Sequence, residues 1–156
     1  MTEETIFYSV AGPLRITVGP KGVRSVSFFK ISGRTKRAPK SAHLKQCVRE
    51  LREYFAGRRR NFSVRFVAPG TTFQKRVWNE VARVPYGQTR TYGQVAARLG
   101  KKKGSRAVGQ AVGANPVCIL VPCHRILGAH GLGGYAYGVS LKRNLLAREG
   151  TLLPNQ

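Results

Sequence analysis

The chain has 156 residues, 42% of them hydrophobic, enough for a packed core in one domain or two small ones and too apolar for wholesale disorder. Lysine and arginine total 28 against 6 acidic residues, all glutamate, and the excess is even: 15 minus 4 in residues 1–70 and 13 minus 2 in residues 71–156, +11 in each. A positive charge carried by the whole body points to a polyanionic partner, nucleic acid first; no apolar run nears the roughly 18 residues of a membrane span, and an acidic membrane surface is a distant second because no basic amphipathic helix with a bulky apolar face stands out.

The N-terminal stretch alternates like a small antiparallel sheet. Ile6–Val10, Leu14–Val18 and Val23–Phe29 are β-rich runs, separated by Gly12-Pro13 and by Gly19-Pro20-Lys21-Gly22, both turn signals. Residues 30–40 are basic and loop-like. From Ser41 onward, Leu44, Cys47, Val48, Leu51, Tyr54 and Phe55 recur at helical spacing, and Gly57 closes the helix. Cys47 lies on that apolar stripe and reads as core. Arg58-Arg59-Arg60 reads as a solvated turn, with a phosphate contact as the alternative. Phe62, Val64 and Phe66 alternate as one more strand, and Ala68-Pro69-Gly70-Thr71 reads as a linker.

Beyond the linker, short helices take over. Thr72 is the expected cap of a helix that buries Phe73, Val77, Val81, Trp78 and Val84 and stops at Pro85. Thr91 and Gln94 form a capping box opening a helix over Tyr92–Leu99. After Lys101-Lys102-Lys103-Gly104, Ser105 is expected to cap a helix whose Ala107, Gly109, Ala111, Gly113 and Ala114 leave one side bare. Two short helices joined by a tight turn fit a helix-turn-helix or an ordinary αα-corner. Glycine inside a helix costs about 1 kcal/mol against alanine, so the bare face favours close approach to a partner, with Arg106 at its N-terminal end.

The chemistry concentrates in Val121-Pro122-Cys123-His124-Arg125-Ile126-Leu127, preceded by an apolar run, Val117–Val121, that is expected to be buried. A thiol becomes a nucleophile in an electropositive, partly enclosed setting, and a neighbouring imidazole can take its proton. His124, Arg125 and the +22 background supply that setting, and the only acids in this half are Glu80 and Glu149. Three cysteines (Cys47, Cys118, Cys123) and three histidines (His43, His124, His130) show no zinc-site spacing, and the absence of aspartate excludes an EF-hand loop and Asp-dependent triads. No cofactor and no metal are expected. Gly131-Leu132-Gly133-Gly134-Tyr135-Ala136 matches a dinucleotide-binding letter pattern but lacks the flanking βαβ unit; with Tyr137 it reads as a mobile pocket wall. The odd cysteine count and the lack of a secretory signal fit a soluble protein of the cytoplasm, or of the nucleus in a eukaryote.

Pro122-Cys123-His124-Arg125, with Asn115-Pro116 before it and Gly134-Tyr135 after it, resembles the active-site signature of the O6-alkylguanine-DNA alkyltransferases. Further matches are Phe73–Trp78, Tyr92–Ala96, Ser105–Gly109 and Leu141–Gly150, so the likeness spans most of residues 72–150. The resemblance implies an α+β protein: a ribonuclease-H-like sheet-plus-helix domain over 1–70, then a mostly helical, winged-helix-like domain with a helix-turn-helix over 71–156. It implies single-turnover transfer of the alkyl group of O6-alkylguanine, and of O4-alkylthymine, to Cys123, with His124 drawing off its proton through a water to Glu149. Tyr92 would rotate the target phosphate and donate to the leaving guanine, and Arg106 would fill the gap left by the flipped nucleotide. Ser105, Ala107, Gly109 and Arg125 would join Arg106 and Tyr92 at DNA, through the minor groove. Asn115 would be a hinge to the active-site strand, Pro122, Tyr135 and Cys118 would line the pocket, the carbonyls of Cys123 and Ile126 would read the guanine amino group, and the Ala136 N–H would approach O6. The partner implied is double-stranded DNA carrying O6-alkylguanine, bound by a monomer, with cooperation between molecules left open.

Two positions depart from the family pattern: Cys118 where a second proline is frequent, and Tyr137 where many members have glycine. Two other classes remain for comparison. An alkyltransferase-like module binds alkylated DNA without an acceptor thiol, and a cysteine hydrolase built on Cys123, His124 and Asn115 would turn over.

Overall fold

The computed structural model describes residues 2–30 and 37–153; most of the basic loop expected over 30–40 lies outside them. The chain divides into two compact units, one of Met1–Pro69 with Pro116–Leu120, the other of Gly70–Asn115 with Val121–Gln156. A single boundary at residue 70 leaves Pro116–Leu120 on the other side.

In the first unit, β1 (Glu3–Ser9), β2 (Gly12–Gly19) and β3 (Gly22–Phe28) form an antiparallel sheet in chain order. Gly22 makes the second turn possible: its φ is +143°, and a Cβ there would stand 2.6 Å from the Arg65 carbonyl oxygen. The inward residues Leu14, Ile16, Val23 and Val26 are fully buried, as are Leu44, Cys47 and Leu51 on α1 (Ala42–Phe55). That is the expected stripe, started by the Ser41 side chain accepting the Leu44 N–H. Burial pushes the Cys47 thiol up to about 12, so it is an inert apolar filler.

The strand expected over Phe62–Phe66 is not formed; one parallel bridge, Val23 with Phe66, takes its place. Glu50 explains the difference. Its fully buried carboxylate accepts the Ser63 N–H at 2.7 Å and the Val64 N–H at 3.2 Å, donors a strand would spend on its neighbour. Burial alone would raise that carboxyl, but hydrogen bonds from Gln46, Ser63 and Val64 hold it below the ordinary range. Farther along the edge of β3, Val26 donates to Pro116 and accepts from Cys118. The chain then turns at Ile119, whose φ of +72° a β-branched residue rarely adopts, with Leu120 N–H bonded to Cys118 C=O at 2.9 Å. Val117–Val121 is buried as expected, yet as a bridge and a turn rather than a strand.

In the second unit, α2 (Thr72–Ala82) is capped by Thr71, one residue before the expected cap, with Gln74 completing a capping box. It buries Val77, Trp78 and Val81, and the Trp78 indole donates to the Ala111 carbonyl at 2.8 Å. The capping box of Thr91 and Gln94 forms as expected and starts α3 (Tyr92–Arg98). α4 (Ser105–Gly113) begins differently: Gly104 is its N-cap, Ser105 is its first helical residue, and no side chain caps it. β4 (Arg90–Thr91) pairs in parallel with β5 (Ile126–Leu127), which ties the chain just after Cys123 to the start of α3. α5 (Val139–Arg148) closes the unit by burying Lys142, Leu145 and Leu146. Among the described residues, no helix is long and apolar enough to cross a membrane.

Candidate active site

Pro122 and Cys123 are set by local backbone chemistry. Pro122 sits at φ −80°, ψ 66°, an inverse γ-turn closed by Cys123 N–H to Val121 C=O at 2.8 Å, and proline's fixed φ suits it. One turn of 3₁₀ helix, Cys123–Arg125, then points consecutive side chains in different directions.

The cysteine points into a cavity of about 220 Å³. Tyr92, Gly109, Asn115, Tyr135, Ala136 and Tyr137 line it. Asn115 donates to the Val121 carbonyl at 2.8 Å, and it lines the cavity together with Tyr135 and Cys123. Burial pushes the Cys123 thiol up; the polar side chains of Asn115 and Tyr135 and the charge of Lys142 pull the other way without overcoming it. The resting sulfur is therefore a thiol. Tyr137, the residue that departs from the family pattern, stacks edge-on against Tyr135 at 5.5 Å between ring centroids.

His124 and Glu149 lie behind, both side chains fully buried. His124 Nε2 is 2.8 Å from Glu149 Oε2, so the contact is direct and not through a water. His124 Nδ1 is buried with no hydrogen-bond partner among the described residues. Burial draws the imidazole pKa down, and the Glu149 carboxylate only partly offsets this. Burial would raise Glu149, yet the hydrogen bonds and charges of His124 and Arg125 hold it at about 2.

Arg125 is a correction. It was expected at DNA, but it is buried and forks onto Glu149, Nε to Oε1 at 2.8 Å and Nη2 to Oε2 at 3.0 Å. Cys118 is another: it is buried with its N–H on Val26, and it does not line the cavity. The structure brings Cys123, Asn115, Tyr135, Ala136 and Tyr92 to one cavity and keeps Ser105, Arg106 and Ala107 exposed on α4, with Gly109 half-buried. Ala111, expected on the bare face, is buried under the Trp78 indole. Pro122 and Ile126 flank the cysteine without lining the cavity.

Lys142 was missed. Its side chain is fully buried, and its ammonium donates to Ile126 C=O at 2.5 Å and Gly134 C=O at 2.9 Å. Burial lowers it to about 8, partly offset by Cys123. Its ammonium stands 5.8 Å from the Tyr92 ring centroid. A lysine in a sequence reads as surface, and only its place among apolar residues of α5 hints otherwise. No group of three or more metal-binding side chains occurs among the described residues.

The family model described as 6-O-methylguanine DNA methyltransferase, DNA binding domain, matches residues 72–151, and the companion ribonuclease-like domain matches residues 4–67. The chain belongs to the 6-O-methylguanine DNA methyltransferase family. A methylated-DNA–protein-cysteine methyltransferase of Methanosarcina acetivorans is 44% identical over 94% of this chain and 97% of its own. One from Mycobacterium tuberculosis is 44% identical over 78% of this chain and 74% of its own. The crystal structure of the Mycobacterium tuberculosis O6-methylguanine methyltransferase superposes with a TM-score of 0.85 at 36% identity, covering 100% of this chain and 97% of that one. A structure of the Mycobacterium tuberculosis OGT in complex with DNA gives 0.84 at 39% identity, over 94% and 91%. The α+β architecture of the family, a ribonuclease-like sheet domain and a helical DNA-binding domain, is the one described above.

Proposed function

We propose that this protein repairs alkylated DNA by moving the alkyl group of O6-alkylguanine onto the sulfur of its own Cys123, once per molecule. The observation that carries the reading is the buried Cys123 thiol, at a cavity of about 220 Å³ that Asn115 and Tyr135 also line. Such a cavity takes a base and not a duplex, so the target nucleotide must leave the stack, and Arg106, exposed at the start of α4, is the side chain proposed to occupy the gap. A bare, positively charged helix of this kind fits the minor groove of double-stranded DNA, and the acting unit is a monomer.

The chemistry follows from the atoms. The target carbon is saturated, so the step is a direct displacement: the S–C bond forms as the C–O6 bond breaks. The proton of the sulfur is proposed to pass by way of a water to His124, whose Nε2 is taken by Glu149 and whose Nδ1, without a partner among the described residues, is left to accept. The electrons of the broken bond pass to guanine O6, and the Tyr92 hydroxyl, at the cavity, is proposed to supply a proton to the leaving base. A thiolate suits a saturated carbon better than a hydroxyl would at neutral pH. The product is a thioether, which water does not cleave, so the thiol is spent.

Intact mass after incubation with an O6-methylguanine duplex tests this. A gain of one methylene unit per chain, located on Cys123 and absent from Cys123→Ala, is expected, with the alanine variant still binding the duplex. Bound but unmodified parent protein would mark a pure binding module, and repeated turnover a hydrolase. A mass gain on Cys118 or Cys47 would remove the role from Cys123.

A further inference from the structure

Arg125 has no part in the proposed transfer step, yet it is buried and held through all three guanidinium nitrogens. Its guanidinium uses three nitrogens: Nε and Nη2 take both oxygens of Glu149, and Nη1 donates to the Val84 carbonyl at 2.8 Å. The Tyr86 ring stands 5.7 Å from it, and the Tyr86 hydroxyl reaches the Arg148 carbonyl. Buried at 6% exposure, it offers nothing to a phosphate. Among the described residues its one ion-pair partner is the carboxylate that His124 also uses.

We propose that Arg125 is a positioning residue of the alkyl-transfer site: its buried guanidinium fixes the Glu149 carboxylate and so holds His124 as a neutral imidazole with Nδ1 as its free nitrogen. Two donors share Glu149 Oε2, Arg125 Nη2 at 3.0 Å and His124 Nε2 at 2.8 Å. A carboxylate oxygen only accepts, so Nε2 carries the hydrogen and the tautomer is set. The carboxylate's charge is already matched by the guanidinium, so it has little left with which to stabilise an imidazolium.

The remaining neighbours agree in sign. The charged and titratable groups around His124 are Glu149 at the end of α5, Lys142 on α5, and Cys123 and Arg125 on its own turn. Burial disfavours the imidazolium most; Glu149 favours it, and Arg125 and Lys142 both oppose it. Without the arginine the carboxylate would favour the imidazolium more strongly, and while both ring nitrogens are protonated there is no site for the thiol's proton. Lysine in place of Arg125 would keep the charge and lose the fork.

The inference rests on the reading of His124 as the proton acceptor of Cys123, and its first test does not. Nitrogen and carbon NMR shifts of His124 are followed against pH in the parent, R125Q and R125K, with folding checked by circular dichroism. In the parent, His124 should be neutral at pH 7 with the proton on Nε2. In R125Q its midpoint should rise by about one pH unit, tenfold in the protonation equilibrium, and in R125K it should stay near the parent. The acidic limb of the methyl-transfer rate should move up by the same amount in R125Q, while affinity for duplex DNA stays at the parent's value in both. Superimposable titrations of parent and R125Q, or an equal shift in R125K, overturn the proposal in favour of a merely structural arginine. If R125Q does not fold, an imidazolium in the parent at pH 7 overturns it alone. Failure of the repair reading would appear separately, as a parent that gains no mass on Cys123.

Discussion

The ammonium of Lys142 donates to the Gly134 carbonyl at 2.9 Å, so a buried charge on α5 pins the glycine-rich wall of the cysteine cavity. The same nitrogen holds Ile126, the residue after the reactive turn, so one side chain fixes two pieces of backbone that are separate in sequence. Lys142→Met keeps the length and removes every donor. Each carbonyl left without its charged partner costs about 1–3 kcal/mol. Urea unfolding should show a loss in that range or its double. Amide exchange in residues 131–137 should quicken more than in α2. An unchanged exchange pattern would mean that the wall is held by something other than Lys142.

Acid should unfold the protein through the His124–Glu149 pair. Glu149 is held at about 2, below its ordinary 4.5, so its contribution is complete above 4.5 and is lost as pH falls toward 2. The depressed group binds fewer protons folded than unfolded, which fixes that sign. The full amount is about 3 kcal/mol. His124 acts in the same direction from higher pH: its folded value lies below 6.5, so the unfolded chain takes up the proton first and stability starts to fall there. Calorimetric melting between pH 7 and 3 should show the decline, and Glu149→Gln should flatten its lower part. A parent whose melting temperature is level from pH 5 to 3 would contradict the pairing.

Arg106→Ala separates flipping from chemistry. The side chain is exposed and distant in role from the sulfur, so transfer from a free alkylated guanine base should stay within about twofold of the parent. Transfer from a duplex should drop by at least tenfold, about 1.4 kcal/mol in the barrier. Equal losses on both substrates would place Arg106 in the cavity's chemistry instead.

The elements that were legible in the sequence are those whose cause is local. The stripe from Leu44 to Tyr54 and the Thr91–Gln94 box need only their own residues, and both form. The two misplaced caps are off by one residue, as Thr71 and Thr72 offer the same hydroxyl and the neighbours decide. What was illegible depends on partners far along the chain. Nothing near Phe62 announces that Glu50 will take the amides of residues 63 and 64. Arg125 beside a reactive cysteine reads as a surface cation until Glu149, 24 residues later, is seen to hold it. The cavity's residue types came with the family likeness, while the buried ammonium of Lys142 has no signature in periodicity or spacing.

The indole of Trp78 also makes the protein its own optical probe. It is the sole tryptophan in the chain, and its N–H is bonded to the Ala111 carbonyl in the last turn of α4, the helix that carries Arg106. Indole emission shifts with the polarity and hydrogen bonding around the ring, so any strain that a bound duplex puts on α4 is felt at a single fluorophore whose signal needs no unmixing. The other wall of that ring's site is backbone: a Cβ at Gly70 would fall 2.5 Å from the six-membered ring. Packed against Gly70 and coupled to α4, Trp78 can time DNA engagement in a stopped-flow record without any label attached.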